Sequence, residues 1–457
     1  MDDPVVIVGG GLAGLACAVE LSRGGLAVQL LDGGAQLGGR AGTVEHDGFM
    51  LNRGAHALYP SSERLLRALG AAPTGGHPKP GLVLREGRLI PSMFGPGAVL
   101  GGSPLRAGER REFVGALASV ALGDPAGSAG SDAAAWVDAH ARGAFLNDLL
   151  QGLFRLATYA GDLSELPGEI GRMMLRESIR RPVRYLDGGW QRIADALASR
   201  ARERGAVLSS GARVTGLEMD RAGGVVRISG GREQRARAVV LAGLSPARAM
   251  RLLDGAGGAL PASVAEPRAV RAACLDVALS RLPRQDTRFV LGIDQPLYLS
   301  VHSAWSELAP GAGAVVHLMR YEGSAPVAAA DALAQLEALM DLAQPGWRGL
   351  VVHRRFAPRM VVAHHLPAPG EGLVSRPGPA DTGLPGVLLA GDWIGPQGWL
   401  AGASLASGVA AARVLLDDGR RAPRGSPSAA GAGTRAADAA QAAEAASAPD
   451  TADAART

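Results

Sequence analysis

Three glycines, Gly9, Gly11 and Gly14, stand at the spacing G-x-G-x-x-G, with Leu12 and Ala13 between the last two. The pattern suits a dinucleotide. Gly9 permits a tight turn, Gly11 has no side chain to hold a pyrophosphate away from the backbone, and Gly14 lets a helix lie close on a sheet. Asp32 follows at the distance where an acid can accept both ribose hydroxyls of an adenosine. Beyond it, Gly38-Gly39-Arg40 sets a second glycine pair before a guanidinium, whose planar fork matches phosphate oxygens. The chemistry these types offer is the grip on an anionic, ribose-containing ligand.

The elements that must hold these residues are legible on either side. Val5 to Val8 is a short apolar β-branched run, which predicts a buried strand. Leu12, Leu15, Ala16 and Val19 repeat at helical spacing until Gly24-Gly25 stops them. Ala27 to Leu31 predicts a second buried strand ending at Asp32. In such a strand–turn–helix unit the first backbone N–H groups of the helix are unpaired and carry roughly half a positive charge toward the phosphates.

Composition narrows the class. The chain has 457 residues, room for two or three domains, and 47% are hydrophobic, enough for large cores. Formal net charge is +4, and Lys79 is the only lysine among 47 basic residues. No dense basic run precedes the tail, so nucleic acid is excluded as a partner. The two cysteines, Cys17 and Cys274, form no metal-ligand spacing and no disulfide framework, which fits a reducing cytoplasm. The apolar start is not read as a signal peptide, because Asp2 and Asp3 stand where basic residues belong. The run Val5 to Val19 is also shorter than the roughly 18–20 residues that span a bilayer.

Farther along, Ser61 to Gly70 predicts an amphipathic helix, and 82–91 a hairpin. Residues 104–180 carry helical patterns around Phe113, Leu149, Phe154 and Met174. A helix is expected from Ile193 to Arg204 and strands at 206–208, 212–217, 225–229 and 238–243. Strands are also expected at 269–279, 296–302 and 314–318, and a helix from Ala328 to Leu342. His302, His317, Tyr298 and Trp305 could face the substrate; histidines at strand ends are read as structural, so these residues stay outside the candidate site. Gly386 to Ala390 predicts a last buried strand, followed by a helix to Leu416. From 419 the chain turns to Ala, Ser, Asp and Thr without an apolar face, the composition of a disordered tail.

G-x-G-x-x-G, then an acid, then Gly38-Gly39-Arg40, with the late Gly391-Asp392 and Gly398-Trp399-Leu400-Ala401-Gly402, resembles the superfamily of FAD-dependent amine oxidases, phytoene desaturases and protoporphyrinogen oxidases. The resemblance implies FAD as cofactor. It implies that Gly9, Gly11, Leu12, Ala13, Gly14 and Asp32 bind the nucleotide half, that Gly38, Gly39 and Arg40 close over the diphosphate, and that the Val214 backbone holds the adenine. It places Gly54 beside the flavin ring, Gly391 and Asp392 at the ribityl chain, and the backbone at Leu400 at the flavin O2 edge. His56 then becomes a candidate proton carrier near flavin N5, and Trp399 a candidate aromatic wall residue.

The fold class expected is α/β: a discontinuous Rossmann-type FAD-binding domain (1–75, 183–255 and 372–418) with a mixed-sheet plus helices substrate domain (76–182 and 256–371) and a disordered tail (419–457). The function expected is an FAD-dependent oxidoreductase, desaturase or oxidase, removing hydride from an apolar or polycyclic metabolite to flavin N5. Flavin amine oxidase and a non-redox flavin-bound isomerase are the alternatives. Amine oxidases of this superfamily usually keep a lysine in the later substrate domain, and Lys79 lies in the wrong region. The partner expected is a lipophilic small molecule, in the cytoplasm, with at most peripheral membrane contact.

Overall fold

The computed structural model describes residues 3–53, 57–79, 81–92, 105–125 and 130–421. Contacts group the chain into two units, Met1–Leu416 and Asp417–Thr457. In chain order the first elements are β1 (Val5–Val8), α1 (Leu12–Arg23), β2 (Val28–Leu31), β3 (Thr43–His46), β4 (Phe49–Asn52), α2 (Pro60–Ala68), β5 (Leu82–Arg85) and β6 (Arg88–Pro91). Four helices follow: α3 (Ala107–Leu122), α4 (Ala133–His140), α5 (Ala144–Thr158) and α6 (Gly168–Arg180). Then come α7 (Gln191–Arg202), β7 (Val207–Ser209), β8 (Val214–Asp220), β9 (Gly223–Ile228), β10 (Arg232–Ala236), β11 (Ala238–Ala242) and α8 (Pro246–Asp254). The last are β12 (Val270–Leu279), β13 (Phe289–Gly292), β14 (Leu297–Val301), β15 (Ala314–Tyr321), α9 (Ala329–Ala343), β16 (Val351–Ala363), β17 (Val387–Ala390) and α10 (Ala401–Arg421).

A five-stranded sheet in the order β17-β11-β1-β2-β7 has every neighbouring pair parallel. β1 is its centre, registering Val5–Val8 against Ala238–Leu241 on one side and Val28–Leu31 on the other. A strand covered on both faces has no polar positions, which is why Val5, Val6 and Ile7 are fully buried. Val5 and Ile7 pack into the cluster under α1, α7 and α10, while Val6 and Val8 pack into the opposite one. Each such side chain contributes roughly 1.5–3 kcal/mol of transfer free energy. The turn into α1 holds Gly9 at φ +113°, and a Cβ there would stand 2.0 Å from the Ala242 oxygen.

The second layer is a seven-stranded sheet, β16-β12-β15-β14-β13-β5-β6, antiparallel except where β13 meets β5. One face of it, through Ala272, Cys274, Tyr298 and Met319, packs on α3 to α6. The other, through Leu275, Val277 and Leu318, packs on α9. This alternation is the period-2 pattern read at 269–279. β8, β9 and β10 form a separate three-stranded sheet, and β3 and β4 a hairpin.

The structure adds one strand that the sequence does not announce and corrects the extent of one helix. β16, the longest strand, follows no alternation of apolar residues: charged side chains and Pro358 interrupt Val351–Ala363, and half-exposed positions outnumber buried ones. Its partner β12 supplies the order that the segment's own sequence hides. The last helix continues past Leu416 to Arg421, and the tail from 422 lies outside the described residues.

Gly408 on α10 marks where this helix crosses α1, because a Cβ there would sit 2.2 Å from the Ala13 carbonyl oxygen. Gly408→Val forces the helices apart at an overpacking cost of about 1–3 kcal/mol. A thermal melt is expected to show a loss of several degrees; an unchanged midpoint would contradict the close crossing.

Candidate active site

A cavity of about 530 Å³ runs from the β1–α1 turn to the start of α10. Gly9, Gly11, Leu12, Ala13 and Asp32 line one end, and Met360, Val362, His364, Asp392 and Leu400 the other, with Gly38, Gly39 and Arg40 between. Residues from the two ends of the chain thus wall a single space. Two helix N-termini border it, α1 through Leu12 and Ala13 and α10 through Ala401 and Ser404, and neither has an acid in its first turn. Each offers unpaired N–H groups and a partial positive charge.

At the nucleotide end, Gly38 N–H donates to the Gly10 carbonyl at 2.8 Å, which ties the second glycine pair to the first loop. A Cβ on Gly11 would come no nearer than 3.9 Å to any protein atom, so its missing side chain serves the cavity and not the packing. Gly14 is the reverse case. It does not line the cavity, and a Cβ there would stand 1.9 Å from the Gly9 oxygen. Asp32 accepts the N–H groups of Gly10 and Gly34, each at 2.6 Å. Its oxygens keep further lone pairs for ligand hydroxyls, so it both fastens the loop and faces the cavity.

At the far end, Asp392 is 1% exposed, and Arg40 and His364 surround its carboxylate. Arg40 reaches Oδ1 at 2.8 Å and Oδ2 at 3.0 Å. The His364 backbone N–H reaches Oδ2 at 2.9 Å, and His364 Nδ1 lies 2.8 Å from Oδ1. Burial alone would raise the Asp392 pKa, but the Arg40 charge and the His364 contacts overcome it and hold the carboxyl well below its usual range. Arg40 also donates to the Val362 carbonyl at 2.8 Å. The sequence assigned Arg40 to the diphosphate and Asp392 to the ribityl chain; in this structure they are each other's partner.

Leu400 adopts φ +54°, a left-handed conformation that costs a branched residue roughly 1–2 kcal/mol. It turns the chain into α10 at the cavity wall. The preceding loop is held by Arg376, a buried side chain that the sequence did not single out. Its Nη1 donates to the Asp392 carbonyl at 3.1 Å and its Nη2 to those of Gln397 and Gly398 at 3.3 and 3.0 Å. Burial lowers its pKa to about 10, so it stays charged near neutral pH. Gly391 is fixed from behind by Ser407 Oγ, 2.9 Å from its N–H.

Other candidates fall elsewhere. Trp399 is not among the cavity-lining residues: it is 2% exposed in the core with Tyr59 and Tyr298, and its Nε1 donates to the Thr158 carbonyl at 3.1 Å. It packs behind the lining, and its bonded indole anchors the loop to the end of α5. Val214 is a buried member of the core behind β1, away from the lining. Gly54 and His56 lie outside the described residues, although Ala57, just after them, lines the cavity. His317 bonds Asp276 at 2.5 Å, and His302 stacks on Tyr185 with centroids 3.9 Å apart. The sequence missed His364; its signal was the His364–His365 pair, hidden because β16 before it was not read as a strand.

A family model for flavin-containing amine oxidoreductases matches residues 12–272, more than half of the chain. The chain belongs to that family. It is accordingly an FAD-dependent oxidoreductase, and the cavity geometry fits the cofactor: two helix N-termini for anionic groups, an open glycine face and a ribose-compatible acid. Solved structures share the fold. An oxidoreductase from Methanosarcina mazei superposes with a TM-score of 0.71 at 19% identity, covering 91% of this chain and 100% of that one. Cyclohexylamine oxidase from Brevibacterium oxydans IH-35A gives 0.68 at 19% identity, covering 92% and 100%. The carotenoid 3,4-desaturase of Haloarcula japonica is 46% identical over 52 residues, 11% of this chain and 10% of that protein. The matched stretch thus spans about a tenth of that relative's length.

Beside the site, His365 is buried, and its Nδ1 accepts the Arg268 N–H at 3.3 Å. Burial, with Arg268 adding to it, lowers its pKa to about 4. The unfolded chain binds a proton near pH 6.5 and the folded chain does not, so stability falls as pH drops from 6.5 toward 4. The loss between pH 7 and pH 5 is about 2 kcal/mol. His365→Gln keeps an acceptor and removes the titration. Denaturant melts at the two pH values are expected to differ less in the variant than in the parent, and an equal difference would remove His365 from the acid limb.

Proposed function

We propose that the protein dehydrogenates an apolar or polycyclic metabolite, acting as a desaturase or oxidase rather than on amines. The observation that carries this reading is the state of the two cavity carboxylates. Asp32 is bound by two backbone N–H groups and Asp392 by Arg40 and His364. The remaining lone pairs of Asp32 are taken by the ribose in this reading, and Asp392 is enclosed by its partners, so neither is spare for an ammonium group. The one lysine, Lys79, is exposed on the connector before β5. The wall near Leu400 is apolar, through Ala57, Met360, Val361 and Val362. Behind it lie Tyr59, Tyr298, Met319 and Trp399.

In this reading the N-terminus of α1 and the Gly38–Arg40 loop hold the diphosphate, Asp32 the ribose, and the start of α10 the polar edge of the ring. Bound FAD supplies the two-electron acceptor for a hydride leaving a C–H bond. The protein orients the substrate carbon and excludes water through the apolar wall. His364 carries an imidazole nitrogen at the cavity and is the described group best placed to hold a proton there. The segments 1–75, 183–255 and 372–418 act as the cofactor domain and 76–182 and 256–371 as the substrate domain, a division supported by which strands build each sheet.

Anaerobic mixing of the FAD-loaded protein with polyenes, tetrapyrroles and amines tests the reading. Apolar substrates are expected to bleach the flavin absorbance, and amines to leave it unchanged. Amine-dependent bleaching would restore the amine oxidase alternative. Turnover with the flavin still yellow would favour an isomerase.

A lipophilic substrate also favours peripheral membrane contact. No helix among the described residues is long and apolar enough to cross a membrane. On the packed pair α3 and α6, however, Val114, Leu122 and Ile179 are exposed, Leu122 at 84%, beside the exposed Arg111, Arg180 and Arg181. Exposed apolar side chains and arginines on one helix pair fit an anionic bilayer surface. Co-sedimentation with phosphatidylserine vesicles is expected, reduced severalfold by Leu122→Glu; equal binding to neutral vesicles would argue against the surface.

A further inference from the structure

A second cavity, of about 480 Å³, opens on the helical side of the seven-stranded sheet, between α4, α5, the loop after α5 and the end of β15. Tyr321, Arg155 and Arg320 line it together with Asp138, Asp162 and Gln151. Tyr321 is fully buried, and among the described residues its hydroxyl has no hydrogen-bond partner. An unpaired buried hydroxyl costs roughly 1–3 kcal/mol, which a ligand can recover.

The unspent hydrogen-bonding capacity is on the donor side. Arg155 gives Nε to the Gly161 carbonyl at 3.2 Å, Nη1 to that of Ile293 at 3.2 Å and Nη2 to Gln151 Oε1 at 2.7 Å. Two of a guanidinium's five N–H groups remain beyond these three bonds. Among the described residues no carboxylate contacts Arg155 or Arg320 directly; Asp148, Asp162 and Asp294 act on Arg155, and Glu322 on Arg320, only at longer range. Arg320 gives Nε to Gln335 Oε1 at 2.9 Å. The cavity's acids are already supplied. Asp162 accepts Ser164 N–H, Ser164 Oγ and Ser324 Oγ at 3.0, 2.7 and 2.8 Å, and Asp138 accepts the Asn147 amide at 3.1 Å. Two arginines with no carboxylate in direct contact and, among the described residues, a hydroxyl without a partner suit an acceptor ligand carrying negative charge.

The floor of this cavity is also the back of the apolar core. Tyr321 packs edge-on to Tyr159, ring centroids 6.3 Å apart, in the cluster that contains Tyr59, Tyr298 and Leu400. Leu400 in turn lines the cofactor cavity. We infer that the second cavity binds the carboxylate of a lipophilic acid, whose apolar part is directed past Tyr321 and Tyr159 toward Leu400. The assignment of that acid as substrate rests on the dehydrogenase reading above; the carboxylate site itself does not.

Three ligands with one tail and different heads, decanoate, decanol and decylamine, separate the outcomes when titrated against the FAD-loaded protein by calorimetry. Decanoate is expected to bind about tenfold or more tightly than decanol, with the preference shrinking in high salt. Tyr321→Phe keeps the ring and removes the hydroxyl, and Arg155→Gln removes the charge; each is expected to lower decanoate affinity about tenfold while decanol affinity and flavin absorbance stay the same. Equal binding of decanoate and decanol, tightest binding of decylamine, or decanoate affinity unchanged in Tyr321→Phe would overturn the site. Should Arg155→Gln fail to fold, Tyr321→Phe decides alone. If the protein took up no FAD, the redox reading would fail, and the same titrations on the flavin-free chain would still settle the carboxylate site.

Discussion

The ion pair between Arg40 and Asp392 joins the two ends of the chain across the cavity. A carboxylate as buried as Asp392 is costly without compensation, by several kcal/mol even after relaxation. Arg40 and the two His364 contacts provide that compensation, from two separate segments of the chain. Removing one partner would leave a buried charge uncompensated, a change of about 3–5 kcal/mol. The position of the Gly38–Arg40 loop, the end of β16 and the start of α10 therefore depend on one another. The same pair bears on the cofactor, because two groups suited to phosphate and ribityl oxygens face each other in the space between the helix N-termini.

Around that pair the structure separates positive potential from apolar surface. The N-termini of α1 and α10 border one cavity, and no acid in either first turn opposes them. An elongated ligand with phosphates at one end and an electron-rich ring at the other is complementary to this field. Beyond Leu400 the polar groups give way to the core that carries Tyr59, Tyr298 and Trp399. Arg376 and the left-handed Leu400 make the boundary sharp. The first pins three carbonyls of the loop and the second reverses the chain. Arg376 belongs to no recognisable short motif, and both residues are explained by what they hold in place.

The nucleotide half was legible because its signals are local. Val5–Val8, the glycines and Asp32 form one strand–turn–helix–strand unit, and steric demands within that unit dictate the residue types. The ring half was legible only in outline. Asp392 and Leu400 line the cavity, but the pairing of Asp392 with Arg40 joins residues that no spacing rule connects. Trp399 shows the converse: an aromatic beside a functional loop belongs to the core once its indole finds the Thr158 carbonyl. His364 went unseen because β16 is ordered by its neighbour β12, with charged side chains on its half-exposed face.

What the sequence determined alone is the β1–α1–β2 unit and, through it, the class of ligand, since tight turns, buried strands and helix starts are written in residues next to one another. What only the tertiary structure decided is which distant side chains meet. Arg40 and Asp392 become partners, the Tyr321 hydroxyl has none among the described residues, and two helix N-termini share a cavity. The physical reason is that hydrogen bonding and charge compensation in a dry interior are settled by proximity in space, and the sheets that create this proximity join strands far apart along the chain.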